Sequence, residues 1–221
     1  MRVDRFHLTV SASIGEVSAE TLVPVEPWAV LTLAHGAGAG MDHAFMRSLA
    51  LELVDHGIVT LRFNFPFIEK KSKRADVPNV AHQTIASAIV RAQQLFPTLP
   101  VFASGKSFGG RMSSQWLALQ TNNQVKGIIF FGFPLHPAGK PGTERAEHLE
   151  NIKLPKLFLQ GTKDELARWD LLTSVIGDLR DSTLIELPGA DHAFKRGKEN
   201  LVPLLAQQTS NWVRQILLAE K

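Results

Sequence analysis

The sequence contains no cysteine. This absence excludes disulfide bonds, thiol nucleophiles and metal sites built on cysteine. No run of about 18 apolar residues occurs, so no membrane-spanning helix is predicted. The first ten residues, M-R-V-D-R-F-H-L-T-V, also lack the apolar core of a secretory signal peptide. We therefore expect a protein that is neither secreted nor membrane-bound, with a cytoplasmic location.

An excess of charge of one sign is also missing, since the net charge over 221 residues is only +3. The one basic cluster, K-K-S-K-R at 70–74, is short and is interpreted as a solvated loop, so no nucleic-acid partner is predicted. Hydrophobic residues make up 44% of the chain, which is typical of a globular protein with a full core. We expect one domain over residues 1–221.

Strand and helix patterns alternate along most of the chain. An antiparallel pair is predicted at 5–11 and 15–23, followed by strands at 28–34, 58–63, 101–104, 126–131, 157–160 and 183–187. Helices are expected from a cap at Asp42 to Gly57, from a cap at Asn79 to 96, and over 113–119, 165–179 and 199–218, with irregular segments at 64–78 and 132–153. This order predicts an α/β fold with a mostly parallel sheet and helices on both faces.

The segment G-K-S-F-G at 105–109 matches the G-x-S-x-G nucleophile elbow, a sharp turn between a strand and a helix. Glycines are needed there because a side chain two residues from the serine collides with the neighbouring strand or helix. Two rival motifs fail. A phosphate-binding loop needs glycine where the chain has Pro100, and the G-x-G-x-x-G pattern starting at Gly36 ends on Met41.

Four chemically suited residues follow four predicted strands: His35, Ser107, Asp164 and His192. The carboxyl ends of parallel strands share one edge of a sheet, where ligands bind. The order serine, aspartate, histidine is that of serine hydrolases with this elbow. Each residue also has a structural interpretation: Ser107 as a helix start, Asp164 as a helix cap and His192 as a loop histidine.

Serine chemistry assigns a role to each group. Ser107 is the predicted nucleophile, His192 the base that takes its proton, and Asp164 the carboxylate that orients the imidazole. The backbone N–H groups of Phe108 and Ala37 are the predicted oxyanion hole.

Alternatives stay open for two of these assignments. Gly38 is an alternative to Ala37 for the second backbone donor, and Asp170 and Glu165 are rival acids for the role of Asp164. No histidine pair has metal-ligand spacing, so neither a metal nor a cofactor is predicted.

Three further residues near these motifs are given supporting roles. His35 is expected to shape the loop at 36–38 through a hydrogen bond. Lys106 and Arg111 are interpreted as structural or rim charges.

Six segments together resemble one known family. They are H-G-A-G-A-G at 35–40, F-N-F-P at 63–66, G-K-S-F-G-G-R-M at 105–112, F-P-L-H-P-A-G-K-P at 133–141, Q-G-T-K-D at 160–164 and A-D-H-A-F at 190–194. The chain is similar to small bacterial α/β-hydrolases related to dienelactone hydrolase. This group includes the hydrolase-like domain of a testis-expressed protein and of a histone-acetyltransferase-complex subunit. The resemblance implies the α/β-hydrolase fold, with Ser107, Asp164 and His192 at the family's catalytic positions.

The segment at 132–153 is too short and proline-rich for a helical lid, so we predict an uncapped site rimmed by His136, Arg145 and residues 65–73. Such a site favours a small ester or thioester as substrate. The leading prediction is a serine esterase. A catalytically idle hydrolase-fold binding protein and a small-peptide peptidase are the alternatives.

Overall fold

The computed structural model describes residues 1–121 and 125–219. Within these residues the strands are β1 Arg2–Ser11, β2 Gly15–Val23, β3 Ala29–Ala34, β4 Ile58–Phe63, β5 Val101–Lys106, β6 Ile128–Phe131, β7 Lys156–Gly161, β8 Ser182–Leu187, β9 Lys195–Arg196 and β10 Glu199–Asn200. The α-helices are α1 Ala44–Asp55, α2 Pro66–Glu69, α3 Pro78–Leu95, α4 Phe108–Ala118, α5 Trp169–Asp178 and α6 Val202–Ala219, and a 3₁₀ helix covers Glu144–Asn151.

The first eight strands form one sheet in the order β1-β2-β4-β3-β5-β6-β7-β8. Strands β3 to β8 run parallel, and β1 and β2 form an antiparallel pair at one edge, joined to β4 by further antiparallel pairing. The predicted edge pair and the predicted mostly parallel sheet are both confirmed. The carboxyl ends of parallel strands point in the same direction. The loops after β3, β5, β7 and β8 therefore lie next to each other at that end of the sheet.

Helices cover both faces of the sheet, as the continuous apolar strands predict. In β3, Val30 and Ala34 join one core cluster, whereas Ala29, Leu31 and Leu33 join the other. The first cluster is completed by α3, α4 and α5, and the second by α1 and α6. Successive side chains of a strand point to opposite faces, so each buried strand contributes to both cores.

The cap of α1 differs from the prediction. His43, not Asp42, precedes the helix, and its Nδ1 accepts a hydrogen bond from the N–H of Phe45 at 3.3 Å. The Asp42 carboxylate instead pairs with Arg5 of β1 at 3.0 Å. Asp42 thus contacts a residue far away in sequence and does not cap the helix.

The segment predicted as irregular after β4 contains the short helix α2, and α3 begins one residue before its predicted cap. Pro78 is the first residue of α3 and Val77 precedes the helix, so Asn79 is not a cap. Proline is favoured at the first helical position because its missing N–H has no partner there and its φ is already helical.

Two later helices start after their predicted first residues. Residues 165–168 form turns before α5, with the N–H of Ala167 bonded to the carbonyl of Asp164 at 3.1 Å. Glu199 belongs to the β9–β10 hairpin, where its carboxylate pairs with Arg196. Residues 165–168 and Glu199 are thus part of tight turns, although their composition is also compatible with a helix.

The segment at 132–153 contains the 3₁₀ helix as its only regular element among the described residues. A multi-helix cap is therefore not present in the described part of the chain, in agreement with the predicted uncapped fold. No helix within residues 1–121 and 125–219 combines the length and the apolar character needed to cross a lipid bilayer.

Candidate active site

Ser107 lies on the turn between β5 and α4. Its φ of 50° and ψ of −114° fall in a region that residues other than glycine rarely occupy. A Cβ added to Gly105 would lie 2.5 Å from the N atom of Gly110, and one added to Gly109 would lie 2.5 Å from the carbonyl oxygen of Ala34. Both positions therefore exclude a side chain, which is the steric reason that the motif predicts.

The side chains of Ser107, His192 and Asp164 form a chain of hydrogen bonds. His192 Nε2 lies 2.9 Å from Ser107 Oγ, and His192 Nδ1 lies 2.7 Å from Asp164 Oδ2. A carboxylate only accepts hydrogen bonds, so Nδ1–H donates to Asp164 and the Nε2 lone pair accepts the Ser107 hydroxyl proton. The fold thus brings together the three side chains that the sequence selects, across separations of 85 and 28 residues.

The Asp164 carboxylate is buried and held from three sides. Its Oδ2 accepts from Gln160 Nε2 at 2.6 Å as well as from the imidazole, and its Oδ1 accepts from the N–H of Leu166 at 2.8 Å. The rival acids Asp170 and Glu165 are exposed and take no part in this network. Of the three acids considered, only Asp164 is positioned to orient His192.

The loop after β3 is fixed by His35. Its Nδ1–H donates to the carbonyl of Gly36 at 2.7 Å, and its Nε2 accepts from the N–H of Phe65 at 2.9 Å. Burial lowers the pKa of His35 to about 4, so the imidazole is neutral at pH 7 and Nε2 keeps its lone pair. Both ring nitrogens are therefore occupied by backbone groups, and His35 holds the loop rather than facing a ligand.

This loop lies against the elbow. A Cβ added to Gly36 would lie 3.8 Å from the Cβ of Ser107, and Ala37 and Gly38 continue from it along the wall of the cleft described below. Phe108 is the first residue of α4, where the backbone N–H has no partner within the helix. A helix N-terminus and a turn therefore border the Ser107 side chain from two sides.

The alpha/beta hydrolase domain family matches residues 27–216 of the sequence. The chain belongs to the α/β-hydrolase family. The match spans β3 to most of α6, and so includes the elbow, the loop after β3 and the loops that carry Asp164 and His192.

Solved structures agree with this assignment. Dienelactone hydrolase from Anabaena variabilis aligns with a TM-score of 0.76 at 18% identity, over 97% of this chain and 99% of that chain. Est1E from Butyrivibrio proteoclasticus, with ferulic acid bound, has a TM-score of 0.78 at 14% identity, over 96% and 99%. XC6422 from Xanthomonas campestris, described as an α/β serine hydrolase without lid, has a TM-score of 0.72 at 21% identity, over 96% of each chain. At these identities the likeness shows the fold.

A cleft of about 460 Å³ opens beside Ser107 in this α/β-hydrolase. Loop 36–39 forms one wall, and the residues next to Ser107 and His192 form its base. The rest is lined by His43, Phe45 and Met46 around the start of α1 and by Leu166. The cleft is thus suited to a small apolar group held next to the Ser107 hydroxyl.

The rim predicted for the cleft is wrong, because His136, Arg145 and residues 65–73 do not line it. His136 is buried. Its ring Nε2 accepts from the backbone N–H of Arg168 at 2.8 Å, and its backbone N–H donates to the carbonyl of Leu166 at 2.9 Å. His136 therefore fixes the loop that follows Asp164. The first turn of α1, which the sequence analysis did not connect with the site, takes the place of the predicted rim.

Lys106 supports the loop that carries His192. Its Nζ donates to the carbonyl oxygen of His192 at 2.5 Å and lies 4.9 Å from the centroid of the Phe194 ring. The absence of a side chain at Gly132 leaves room for it, since a Cβ there would lie 3.0 Å from Nζ. Burial lowers the pKa of Lys106 to about 8. Lys106 thus has the structural role predicted for it, through its hydrogen bond to the His192 carbonyl.

Gln160 is a supporting residue that the sequence analysis did not single out. Its Oε1 accepts from the N–H of Phe133 at 2.8 Å while its amide donates to Asp164. The sequence does contain a sign of this role: Gln160 is a polar residue that follows three apolar residues of β7. Such a residue needs a partner when buried.

A second groove, of about 510 Å³, lies at the opposite end of β5 from Ser107. Its wall includes Phe96, Leu99 and Pro100, and none of the described residues that line it is a serine, histidine or aspartate. This groove thus offers no side chains suited to serine catalysis among the residues that the structure describes. The cleft at the carboxyl ends of the strands is therefore the candidate active site.

Proposed function

We propose that this α/β-hydrolase is a serine hydrolase that cleaves small carboxylic esters or thioesters through an acyl-enzyme on Ser107. The observation that carries the proposal is the continuous hydrogen-bonded chain from Ser107 Oγ through His192 to Asp164, located beside a cleft. A serine hydroxyl is a weak nucleophile unless a base accepts its proton during attack.

In the proposed first step, Ser107 Oγ attacks the ester carbonyl carbon while its proton moves to His192 Nε2. The imidazolium is stabilised by the Asp164 carboxylate at Nδ1. When the tetrahedral intermediate collapses, the bond to the leaving alcohol or thiol breaks and the proton on Nε2 is transferred to it. A water molecule then gives a proton to His192 Nε2 and attacks the acyl carbon. When this second intermediate collapses, the bond to Ser107 Oγ breaks, the carboxylic acid leaves and His192 returns the proton to Oγ.

The negative oxygen of each intermediate needs donors that are already in place. We assign these to the backbone N–H groups of Phe108, at the start of α4, and of Ala37, on the loop beside the elbow. Removing one such donor typically costs about 2.7–4 kcal/mol of transition-state stabilisation. The hydrogen bonds of His35 keep the Ala37 loop in position before substrate binds.

The substrate class follows from the shape and the lining of the cleft. Among the described residues that line the cleft, Lys106 is the one lysine, and arginine, aspartate and glutamate do not occur. The Lys106 ammonium is hydrogen-bonded to the carbonyl of His192. The apolar wall favours a small, uncharged acyl group. The description of XC6422 as a serine hydrolase without lid supports an uncapped site of this kind.

Three narrower predictions also remain proposals. A relationship to the testis-expressed protein and the acetyltransferase-complex subunit rests on F-P-L-H-P-A-G-K-P at 133–141. A cytoplasmic location and a single domain over residues 1–221 rest on composition.

The test is labelling by a fluorophosphonate probe together with release of p-nitrophenol from p-nitrophenyl acetate. We expect both in the wild type and neither in Ser107→Ala, whereas Ser174→Ala, an exposed serine of α5, keeps both. Circular dichroism checks that each variant is folded. An unlabelled wild type would refute the proposal and favour an idle binding protein, and faster cleavage of peptide p-nitroanilides than of esters would favour a peptidase.

A further inference from the structure

A cluster of basic side chains lies between α3, α4 and the 3₁₀ helix, outside the cleft. It consists of His82 on α3, Arg111 on α4, and Arg145 and His148 on the 3₁₀ helix. Burial lowers the pKa of Arg111 and of His148, and nearby positive charge adds to it: Arg145 acts on Arg111, and Arg111 and His82 act on His148. Helix α4 and the 3₁₀ helix meet where His148 Nε2 lies 2.7 Å from Ser114 Oγ. Arg111 lies three residues before Ser114 on α4, and Arg145 lies three residues before His148 on the 3₁₀ helix, so both arginines are on the sides of their helices that share this contact.

Neither Arg111 nor Arg145 has an ion pair or a side-chain hydrogen bond within residues 1–121 and 125–219. Arg111 Nε is buried without a partner. By contrast, the guanidinium groups of Arg5, Arg62 and Arg168 all pair with carboxylates. Both guanidinium groups are half-buried. Partly burying two like charges without a counter-charge weakens their hydration, so an anion bound between them would be stabilising.

The geometry around His148 is compatible with an anion. The Ser114 hydroxyl donates to the carbonyl of Arg111 at 2.9 Å, so its oxygen accepts from His148 Nε2–H at 2.7 Å. His148 Nδ1 has no hydrogen-bond partner among the described residues and is not enclosed, because it is absent from the buried unpaired atoms. Because the pKa of His148 is lowered to about 4, Nδ1 carries a lone pair at pH 7, and it becomes a third donor only when a bound anion raises that pKa and the ring takes up a proton.

We propose that Arg111, Arg145 and His148 form a binding site for an oxyanion, a phosphate or carboxylate group, on the surface between α3, α4 and the 3₁₀ helix. Planar guanidinium groups bind pairs of oxygen atoms on such anions through charge-assisted hydrogen bonds. None of the three residues lines the cleft, so the site is distinct from the proposed ester-binding site. A bound anion supplies the missing counter-charge.

The test is calorimetric titration of the full chain with inorganic phosphate and, separately, with acetate, at constant ionic strength set by chloride. Saturable binding of phosphate, of acetate or of both is expected, and the arm that saturates identifies the anion. Arg145→Gln is expected to weaken binding about tenfold, as loss of a charge-assisted pair does. Arg74→Gln, which removes an exposed arginine elsewhere, is the matched control and should bind as the wild type does.

A second readout follows His148 by NMR. Burial, with the fields of Arg111 and His82, lowers its pKa to about 4, and a bound anion is expected to raise it because the anion offsets those charges. The His148→Gln variant assigns the resonance, and Arg111→Gln supplies a second variant at the more buried arginine. Binding of neither anion, an equal response to chloride, unchanged affinity in folded Arg145→Gln, or an unmoved His148 pKa would each overturn the proposal.

Discussion

At the scale of single residues, the candidate site depends on the side chains around its three central groups. His192 is held at Nδ1 by Asp164 and at its backbone carbonyl by Lys106. Gln160 in turn holds Asp164 and ties it to the backbone of Phe133. These supporting contacts limit the orientations available to the imidazole before a substrate binds.

Replacing Lys106 by Met tests this support. The change removes the donor to the His192 carbonyl, and a hydrogen bond from a charged group is worth about 1.5–3 kcal/mol, so we expect kcat for p-nitrophenyl acetate to fall roughly tenfold or more with KM nearly unchanged. Because the pKa of Lys106 is about 8, wild-type activity should decline as the pH rises above 8 and Lys106 loses its proton. That decline should be absent in Lys106→Met.

Lys73→Met, at an exposed position outside the site, is the control for loss of one positive charge. Wild-type kcat in Lys106→Met, or an alkaline decline that survives the change, would contradict a positioning role for this lysine.

At the scale of elements, the turn between β5 and α4 brings a helix N-terminus and a strand end into contact. The turn is possible because Gly105, Gly109 and Gly110 let the helix backbone approach the strands closely. As a result, the backbone of Ser107 has a positive φ of 50°, which is unfavourable for a residue other than glycine, and the surrounding packing maintains this conformation.

Gly109→Ala tests the steric argument at this turn. The new Cβ would meet the carbonyl oxygens of Ala34 and His35 at 2.5 and 2.6 Å, so the backbone must move. We expect the free energy of unfolding to fall by about 1–3 kcal/mol or more, and esterase activity to be lost with the displaced Ser107. Urea denaturation followed by circular dichroism measures the first effect.

Gly177→Ala is a matched control, because Gly177 lies within α5 and a Cβ there meets nothing within 4 Å. Alanine should raise the free energy of unfolding by roughly 0.5–1 kcal/mol at this position, since it favours the helix more than glycine does. Equal effects of the two substitutions would rule out close packing as the reason for Gly109.

At the scale of the whole molecule, the parallel sheet places Ser107, Asp164 and His192 after the carboxyl ends of its strands, whereas the two cores lie on the faces of the sheet. The order of the strands puts β5 in the interior of the sheet, with β7 and β8 on one side of it and β3 on the other. The loops that carry Asp164 and His192 therefore approach Ser107 from one side, and the His35 loop approaches from the other. A rigid sheet keeps these loops in register.

The free energy of unfolding is expected to depend on pH in the acidic range. Burial lowers the pKa of His35 and of His148 to about 4, below the ordinary histidine value of 6.5. As the pH falls from 6.5 to 4, the unfolded chain binds these protons before the folded chain does, so stability is lost across this window and the loss levels off below it. For buried His35 the loss amounts to at most about 3 kcal/mol.

Urea unfolding at pH 7, 5.5 and 4.5 measures this dependence. His148→Gln should show a smaller loss than the wild type because one of the two histidines no longer titrates. A free energy of unfolding that stays constant from pH 7 to 4.5 would contradict the burial of both neutral imidazoles.

Local sequence alone determined the strand-turn-helix motif around Ser107 and the positions of Asp164 and His192 shortly after strands. Such features follow from steric limits and hydrophobic periodicity within short segments, which act before distant parts of the chain meet. The fold class follows from the same local patterns because alternating strands and helices leave few topologies.

Only the tertiary structure decided which residues line the cleft, which residue caps α1, and where the ammonium of Lys106 and the guanidinium of Arg111 lie. Each of these depends on contacts between segments far apart in sequence, such as Asp42 with Arg5 or Lys106 with His192. A charged or polar side chain has several partners available to it in an extended chain, and the packing of the whole sheet selects among them.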